Sequence, residues 1–349
     1  MHRHGTQLVK AALSAAYYLG ADGLLAPFTR GQGVIFMLHH VRPEPPKAFE
    51  PNRILKVTPD FLEEVITEVK AAGFETVSLD EVEERLKPGY DGPPFACFTL
   101  DDGYKDNARY AYPVFKRHNV PFTIYVPSDY ADGRGELWWL VLENVIRQAP
   151  DMSVQMDGRL RHFPTGTAAE KNAAYDAIYW WLRHLPEDRC RLVVTELAQS
   201  IGYDPSAMCG ELVMGWDELR ELAQDPLVTI GGHTKSHYAL GKLSLEDARD
   251  EINGSIARIE AETGKPCRHF SYPYGCAQSA GRREFDLAEK AGIKTAVTTR
   301  KGLIFRRHAR SLTALPRLSL NGDYQDGRYV KVMLSGAPFV VWNAVRGGR

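Results

Sequence analysis

Short apolar runs alternate with segments of helical periodicity along most of this chain, and this alternation constrains its fold more than any other feature. The runs that we interpret as strands are 34–38, 94–100, 122–126, 228–230, 270–272, 295–297 and 318–320. Strands separated by helices favour an α/β fold with a parallel sheet. The predicted count of about seven strands exceeds the number of strands in an average open sheet.

The intervening helices carry recognisable start and stop signals. The clearest covers 245–261, where Ser244 is the expected N-cap, Asp247 completes a capping box and Gly264 suits the C-terminus. Its apolar residues form one stripe at helical spacing. A second helix is expected over 59–72, with Thr58 as its cap.

Composition excludes some classes of partner. The 349 residues contain 43 Lys and Arg against 44 Asp and Glu, so the net charge is −1. Non-specific nucleic-acid binding needs a basic surface, so we expect no nucleic-acid partner. The five cysteines include no CxxC pair, so neither a disulfide framework nor a thiolate zinc site is indicated.

Three segments fall outside the strand pattern. Residues 1–30 predict an N-terminal amphipathic helix that packs on the domain or lies at a membrane interface. Residues 135–214 show no strand signal, so we expect a helical insertion whose tryptophans are core residues or a stacking surface for a sugar ring. The tail 323–349 is too weakly patterned to interpret. The main domain is therefore expected over 31–322, and no export signal is recognisable, which favours the cytoplasm.

Polar side chains follow several of the predicted strands at the point where each strand ends. Asp101 and Asp102 come directly after the strand 94–100. Neighbouring side chains point in different directions, so one carboxylate can hold a metal while the other faces a substrate. An ordinary Asp-Asp-Gly turn would explain the same residues.

Two histidines follow the strand that ends at Gly231-Gly232. His233 and His237 are four residues apart, a spacing that places both imidazoles on one face of a helical turn and within reach of one ion. Together with the aspartate pair at an equivalent strand end, they predict a metal site. Two imidazoles and one carboxylate leave coordination positions open, as in catalytic sites.

Two further strand ends carry candidate groups. The turn Pro273-Tyr274-Gly275 can present a backbone N–H to a substrate oxygen, as an oxyanion hole requires. His39 and His40 follow the first strand, and each is either a general acid or a hydrogen-bonded structural histidine.

The order of these motifs is similar to that of the polysaccharide deacetylases (carbohydrate esterase family four, the NodB homology domain). Thr-Leu-Asp-Asp-Gly, His-Thr-x-x-His and Tyr-Pro-Tyr-Gly occur in the family's order, and the resemblance extends over about residues 33–320. It implies a distorted (β/α)7 barrel, with Asp101 as general base and Asp102, His233 and His237 as metal ligands. The backbone N–H of Tyr274 would stabilise the oxyanion.

Two departures from the family pattern affect the expected site. Many members have an arginine two residues before the proline of the third motif, where this chain has Ser271, and we expect Arg317 to supply that cation. The usual late Leu-x-His motif is not evident after residue 300. Some relatives place the acid histidine on the first strand, so His39 is preferred to His40.

The resemblance implies hydrolysis of N-acetyl groups on a saccharide that contains N-acetylglucosamine. The expected cofactor is one divalent ion, most often Zn²⁺, with Co²⁺, Ni²⁺ or Mn²⁺ as alternatives. Removal of a formyl group, opening of a cyclic amide, carbohydrate binding without catalysis and a purely structural metal site remain open. With no export signal, a cytoplasmic or lipid-linked substrate at the inner membrane surface is expected, with peripheral contact through the N-terminal helix.

Overall fold

The strands of the computed structural model, which describes residues 2–340, form a central parallel sheet and two small accessory sheets. The strands are β1 (Gly33–Leu38), β2 (His40–Val41), β3 (Lys56–Val57), β4 (Glu75–Thr76), β5 (Phe95–Leu100), β6 (Phe122–Val126), β7 (Asp151–Met156), β8 (Arg159–Pro164), β9 (Val228–Gly232), β10 (His269–Ser271), β11 (Thr295–Lys301) and β12 (Leu315–Ser319).

Helices surround this sheet, and further helices precede its first strand and follow its last strand along the described chain. They are α1 (His2–Tyr18), α2 (Ala21–Thr29), α3 (Pro59–Ala71), α4 (Val82–Arg85), α5 (Tyr112–His118), α6 (Ser128–Ala131), α7 (Trp138–Gln148), α8 (Ala168–Leu182), α9 (Glu187–Ser200), α10 (Met208–Leu212), α11 (Trp216–Leu222), α12 (Leu245–Thr263), α13 (Arg282–Lys290) and α14 (Gly327–Leu334). A π-helical turn over Asn107–Ala111 leads into α5. None of the helices in the described part of the chain is long and apolar enough to cross a bilayer.

Seven parallel strands close into a barrel. Their order is β1-β12-β11-β10-β9-β6-β5, and β5 pairs back onto β1 from Gly33↔Phe95 to Leu38↔Leu100. β1 and β5 are buried along their whole length, which explains why both read as continuous apolar runs. The predicted distorted (β/α)7 barrel is confirmed. β4 pairs only with the start of β5 and lies outside the ring.

The carboxyl ends of the strands meet at one rim of the barrel, and backbone hydrogen bonds align the motifs there. The Asp101 N–H donates to the Leu38 carbonyl at 2.9 Å, so the aspartate pair lies beside the end of β1. The His233 N–H donates to the Val126 carbonyl at 3.2 Å. Residues that are distant in sequence are therefore brought to one edge.

The insertion is not wholly helical, which corrects the expectation for 135–214. Alongside α7, α8, α9 and α10 it contains the antiparallel hairpin β7–β8. The sequence of this hairpin carries a strand signal, because polar and apolar residues alternate along β7. In the structure these residues are exposed and buried in turn. Asp157-Gly158 forms the turn, with φ values of 50° and 77°. An Asp-Gly pair next to a segment of alternating polar and apolar residues is a strong hairpin signal.

The two ends of the chain pack together outside the barrel. The N-terminal segment forms two helices instead of the single predicted one, and they are separated at Gly20, whose φ of 67° is left-handed. Leu13 of α1 packs in a cluster with Tyr329 and Val332 of α14. Part of the unpatterned tail thus forms the helix α14, and residues 341–349 lie outside the described residues.

Candidate active site

A carboxylate and two imidazoles meet at the rim of the barrel. Asp102 Oδ1 lies 3.5 Å from His233 Nε2 and 3.3 Å from His237 Nε2. The candidate ligand atoms of these three residues all lie within 4.8 Å of one another, and all three side chains are buried. The spacing is that of a set of ligands around one ion.

The donor set fits a divalent metal. Asp102 Oδ1 is buried without a hydrogen-bond partner, which would be costly for a carboxylate that had no cation to bind. The Ser271 carbonyl lies 2.6 Å from His233 Nδ1, so this nitrogen donates the hydrogen bond and Nε2 is left free to bind a metal. Burial alone would raise the pKa of Asp102, but the two neighbouring imidazoles hold it well below its ordinary value. Two nitrogens and one carboxylate oxygen are suitable zinc ligands.

The segment that carries the two histidines is an irregular loop, so the predicted helical turn is wrong. Thr234 and His237 have φ values of 63° and 58°, which no right-handed helical turn contains. The two imidazoles converge because the loop folds back on itself. A four-residue spacing alone cannot distinguish this loop from a helix.

Hydrogen bonds from neighbouring elements hold this loop. Glu251 on α12 accepts hydrogen bonds from the N–H groups of Lys235 and Ser236, at 3.0 and 2.9 Å. On the other side, the buried Arg191 of α9 donates to the carbonyls of Ser236 and His237, at 3.1 and 3.4 Å. These contacts stabilise the left-handed backbone that the loop requires, and Arg191 connects it to the insertion.

Asp101 forms a buried ion pair with Arg317. The guanidinium donates from Nη1 to Asp101 Oδ1 at 2.8 Å and from Nη2 to Oδ2 at 2.7 Å, which is the bidentate geometry of a strong pair. Burial alone would raise the pKa of Asp101, but Arg317 outweighs that effect and the pKa is lowered. Asp101 is therefore held ionised and in a fixed orientation.

Every N–H group of the Arg317 guanidinium has an acceptor. Besides Asp101, it donates to the Thr298 carbonyl, Thr99 Oγ1 and Ser271 Oγ, at 3.0, 3.1 and 3.0 Å. Ser271 thus stands where many relatives carry arginine, and its hydroxyl accepts a hydrogen bond from Arg317 of β12. A fully satisfied guanidinium can be buried, and Arg317 is only 1% exposed.

The two adjacent histidines after β1 occupy different environments. His39 is partly exposed, and its Nε2 lies 3.9 Å from Asp101 Oδ2. His40 is buried, its Nδ1 lies 2.7 Å from Asp106 Oδ2, and its ring stacks on Tyr104. His39 therefore faces the catalytic aspartate candidate, while His40 has a structural partner.

Tyr274 lies at the third motif and contacts both the barrel and the insertion. Its φ is 61°, and the next residue must be glycine because a Cβ on Gly275 would lie 2.5 Å from the Thr299 nitrogen. The Tyr274 hydroxyl accepts a hydrogen bond from Trp138 Nε1 at 2.9 Å. Its ring centroid is 5.0 Å from that of His237, which places this turn beside the candidate metal ligands.

The family comparison agrees with this geometry. The family model described as polysaccharide deacetylase matches residues 89–296, more than half of the chain. The chain belongs to the polysaccharide deacetylase family. Membership supports deacetylation of a polysaccharide. No curated protein sequence gives a significant match.

Solved structures share the fold of this deacetylase at low sequence identity. The Streptococcus pyogenes deacetylase PplD, solved in complex with acetate, is 16% identical with a TM-score of 0.54, and the match covers 83% of this chain and 92% of PplD. IcaB from Ammonifex degensii is 15% identical with a TM-score of 0.53, and the match covers 88% and 97% of the two chains. At this identity the likeness establishes the barrel fold.

The family match contains five of the seven predicted site residues. Asp101, Asp102, His233, His237 and Tyr274 lie inside it, whereas His39 precedes it and Arg317 follows it. The structure brings both of the latter to Asp101. Their assignment therefore depends on the geometry of this chain.

Sequence reasoning missed two groups of the insertion that reach the site. The Trp139 ring centroid lies 5.0 Å from that of His237, and Arg191 donates to the carbonyl of the same residue. The tryptophan was noted only as a core or stacking candidate. No local pattern marks an arginine that acts through a distant loop.

Proposed function

We propose that this deacetylase hydrolyses the N-acetyl group of a saccharide that contains N-acetylglucosamine, using one divalent metal ion. The observation that carries the proposal is the juxtaposition of a buried Asp-His-His cluster with the ion pair of Asp101 and Arg317. The first group is a set of metal ligands, and the second is a fixed, ionised carboxylate next to it in sequence. Amide hydrolysis by an activated water requires both functions.

Asp102, His233 and His237 are the residues that would hold the ion. Zn²⁺ suits these donors, and Co²⁺, Ni²⁺ or Mn²⁺ would also be accepted. When bound, the ion polarises the amide carbonyl and makes a water easier to deprotonate. These three side chains are buried, so their orientation is fixed before a substrate arrives.

Asp101 is the proposed general base. Its pKa is lowered, because the ion pair with Arg317 outweighs the effect of burial, so the carboxylate is ionised at neutral pH. It can accept the proton of the attacking water, while Arg317 holds both oxygens in place. Arg317 is therefore a positioning residue.

His39 and Tyr274 complete the proposed machinery. His39 Nε2 lies 3.9 Å from Asp101 Oδ2, a separation that a small rotation of the imidazole closes, so a proton can pass between them and reach the departing amine. The backbone N–H of Tyr274 is the proposed donor to the oxyanion. One such donor contributes roughly 3 kcal/mol to transition-state stabilisation in comparable sites.

The test measures the acid released from short N-acetylglucosamine oligomers and from their N-formyl analogues. We expect acetate release by the wild type and a decrease of about 100-fold or more for Asp101→Asn, since the general base is lost. Glu251→Gln and Asp250→Asn are unsuitable as controls because both residues contact the histidine loop, so Asp217→Asn on α11, whose side chain is 95% exposed, serves instead.

The outcomes separate the proposal from its alternatives. Formate release without acetate release would identify a deformylase on the same barrel. Oligosaccharide binding with no acid release would identify a carbohydrate-binding relative. Undiminished turnover by Asp101→Asn would contradict the assignment of the base.

A further inference from the structure

Exposed apolar side chains are concentrated at the N-terminal end of the molecule. Thirteen large apolar side chains are exposed in the described chain, and seven of them belong to residues 8–28. The largest exposed fractions are 84% for Phe28, 78% for Leu19 and 75% for Leu24. Single exposed apolar residues are ordinary, but a concentration of this kind marks an interaction surface.

Among residues 5–20 and 23–28, whose side chains the structure describes, no charged side chain is exposed on this surface. Within 5–20, Lys10 is half-buried, and the residues that face solvent are small or apolar, apart from Gln7 and the Tyr18 hydroxyl. In α2, the exposed residues between 23 and 28 are all apolar or glycine. The opposite side of α1 packs on α14 through Leu13. We call the exposed residues of 5–20 and 23–28 the N-terminal face.

Basic residues lie beside the N-terminal face. Near α1, the Arg328 guanidinium donates to the Tyr18 hydroxyl at 2.7 Å and is also paired with Asp326, and Lys331 Nζ lies 5.4 Å from the centre of the Tyr17 ring. At the other end, Phe28 shares a cleft of about 440 Å³ with Lys301 and Arg307.

The segment that supplies Lys301 and Arg307 to this border is basic although the whole chain is nearly neutral. Residues 300–310 contain five Lys and Arg and no Asp or Glu, whereas the net charge of the chain is −1. An uncharged apolar helical surface with a basic border is complementary to the headgroup region of an anionic bilayer.

A second copy of the chain fits the N-terminal face less well than an anionic bilayer does. A two-fold dimer would place the same patch against itself, and the basic border of one copy would then face that of the other. Like charges brought together at an interface oppose association. An anionic lipid surface meets both the apolar and the basic parts of the patch.

We propose that the N-terminal face docks this deacetylase on the surface of a bilayer that contains anionic lipids. The helices lie in the interface, because no described helix is long and apolar enough to span a membrane. The docking does not depend on the reaction at the barrel rim.

The test is flotation of the full chain with vesicles of phosphatidylcholine alone and of phosphatidylcholine mixed with phosphatidylglycerol. We expect the wild type to float with the anionic vesicles. The double variant Leu24→Glu/Phe28→Glu loses about tenfold or more of this binding, because two apolar contacts with the interface are removed. Both side chains are exposed, so the folded structure tolerates the change, and circular dichroism checks this.

A matched control separates the patch from general hydrophobicity. Leu160→Glu/Leu192→Glu alters two exposed leucines of the insertion and is expected to bind as the wild type does. Arg307→Gln is expected to weaken binding about fivefold, and only to the anionic vesicles.

Two results would overturn the proposal. One is equal flotation of the wild type and Leu24→Glu/Phe28→Glu. The other is a wild-type dimer in size-exclusion chromatography that fails to bind vesicles and becomes monomeric in the double variant. Acetate release from a soluble oligomer is measured in parallel, so failure of docking is distinguished from failure of the proposed reaction.

Discussion

At the scale of single residues, the centre of the site is the pairing of Asp101 with Arg317. A cation was expected near Asp101 because Ser271 stands where many relatives have arginine, and Arg317 was the candidate named from the sequence. The structure adds the reason why the exchange is possible: the Ser271 hydroxyl is small and accepts a hydrogen bond from the guanidinium at 3.0 Å. The distance in sequence between the two residues hides this contact from any local pattern.

Replacing Arg317 should change the pH dependence of the reaction. Lysine keeps a charge but cannot form the bidentate pair, so in Arg317→Lys the pKa of Asp101 should rise from its lowered value. A base works only when ionised, so the acidic limb of the kcat/KM profile should move to higher pH. Arg300→Lys, on the exposed end of β11, is the matched control. An unmoved acidic limb in Arg317→Lys would contradict the role given to this pair.

The two histidines after β1 should respond differently to substitution. His39→Gln is expected to lower kcat by about 100-fold or more while leaving stability nearly unchanged, because a proton-transfer group is lost from a partly exposed position. His40→Ala is expected to cost about 1–3 kcal/mol of unfolding free energy, because buried Asp106 loses a partner. Denaturant unfolding and kinetics on both variants check this. The reverse pattern would exchange the two assignments.

At the scale of elements, the insertion contacts the loop that carries His233 and His237 directly. Arg191 on α9 donates to the carbonyls of Ser236 and His237 and also pairs with Glu187, at 2.9 Å. These bonds join the insertion to a loop whose backbone contains two left-handed residues. The insertion therefore helps to hold the proposed metal ligand His237.

Removing this contact should weaken metal binding. Arg191→Ala is expected to reduce the affinity for Zn²⁺ by about 10- to 100-fold, as the loss of groups that orient ligands commonly does. Competition with a chromophoric chelator measures the affinity, and added Zn²⁺ should restore the acetate-releasing activity. Arg189→Ala, on the exposed side of the same helix, is the control. Equal affinities in the two variants would show that Arg191 has only a structural role.

The elements differ in how well the sequence alone predicts them. The barrel strands were predictable because buried parallel strands are continuous apolar runs, and α12 was predictable because Ser244 caps it and Gly264 ends it. The hairpin β7–β8 was missed although its turn residues are diagnostic. The histidine loop was read as helical because a spacing of four residues does not reveal left-handed backbone.

At the scale of the whole molecule, closure of the barrel brings distant residues to one rim. Ring closure through β1 and β5 places His39 next to Asp101, and β12 carries Arg317 to the same point. The apolar pattern predicted this convergence in outline, since parallel strands end on one side. It could not predict the packing of the chain ends against each other through α1 and α14.

A bound metal should stabilise the whole fold. An ion that binds only the folded state adds free energy of unfolding by mass action, about 2.7 kcal/mol when its concentration is 100 times its dissociation constant. We expect a chelator to lower the Tm of the wild type and added Zn²⁺ to restore it. His237→Ala should show no such difference, because it lacks a ligand. Calorimetry with and without chelator is the measurement, and an unaffected wild-type Tm would speak against a bound ion.

The most direct test of the account is the metal content of the purified wild type, Asp101→Asn and His237→Ala, measured by elemental analysis. The account predicts one equivalent of divalent metal per chain in the wild type and in Asp101→Asn, and a large loss in His237→Ala. Metal retained in full by His237→Ala would contradict it, because the three converging side chains would then not be the ligands.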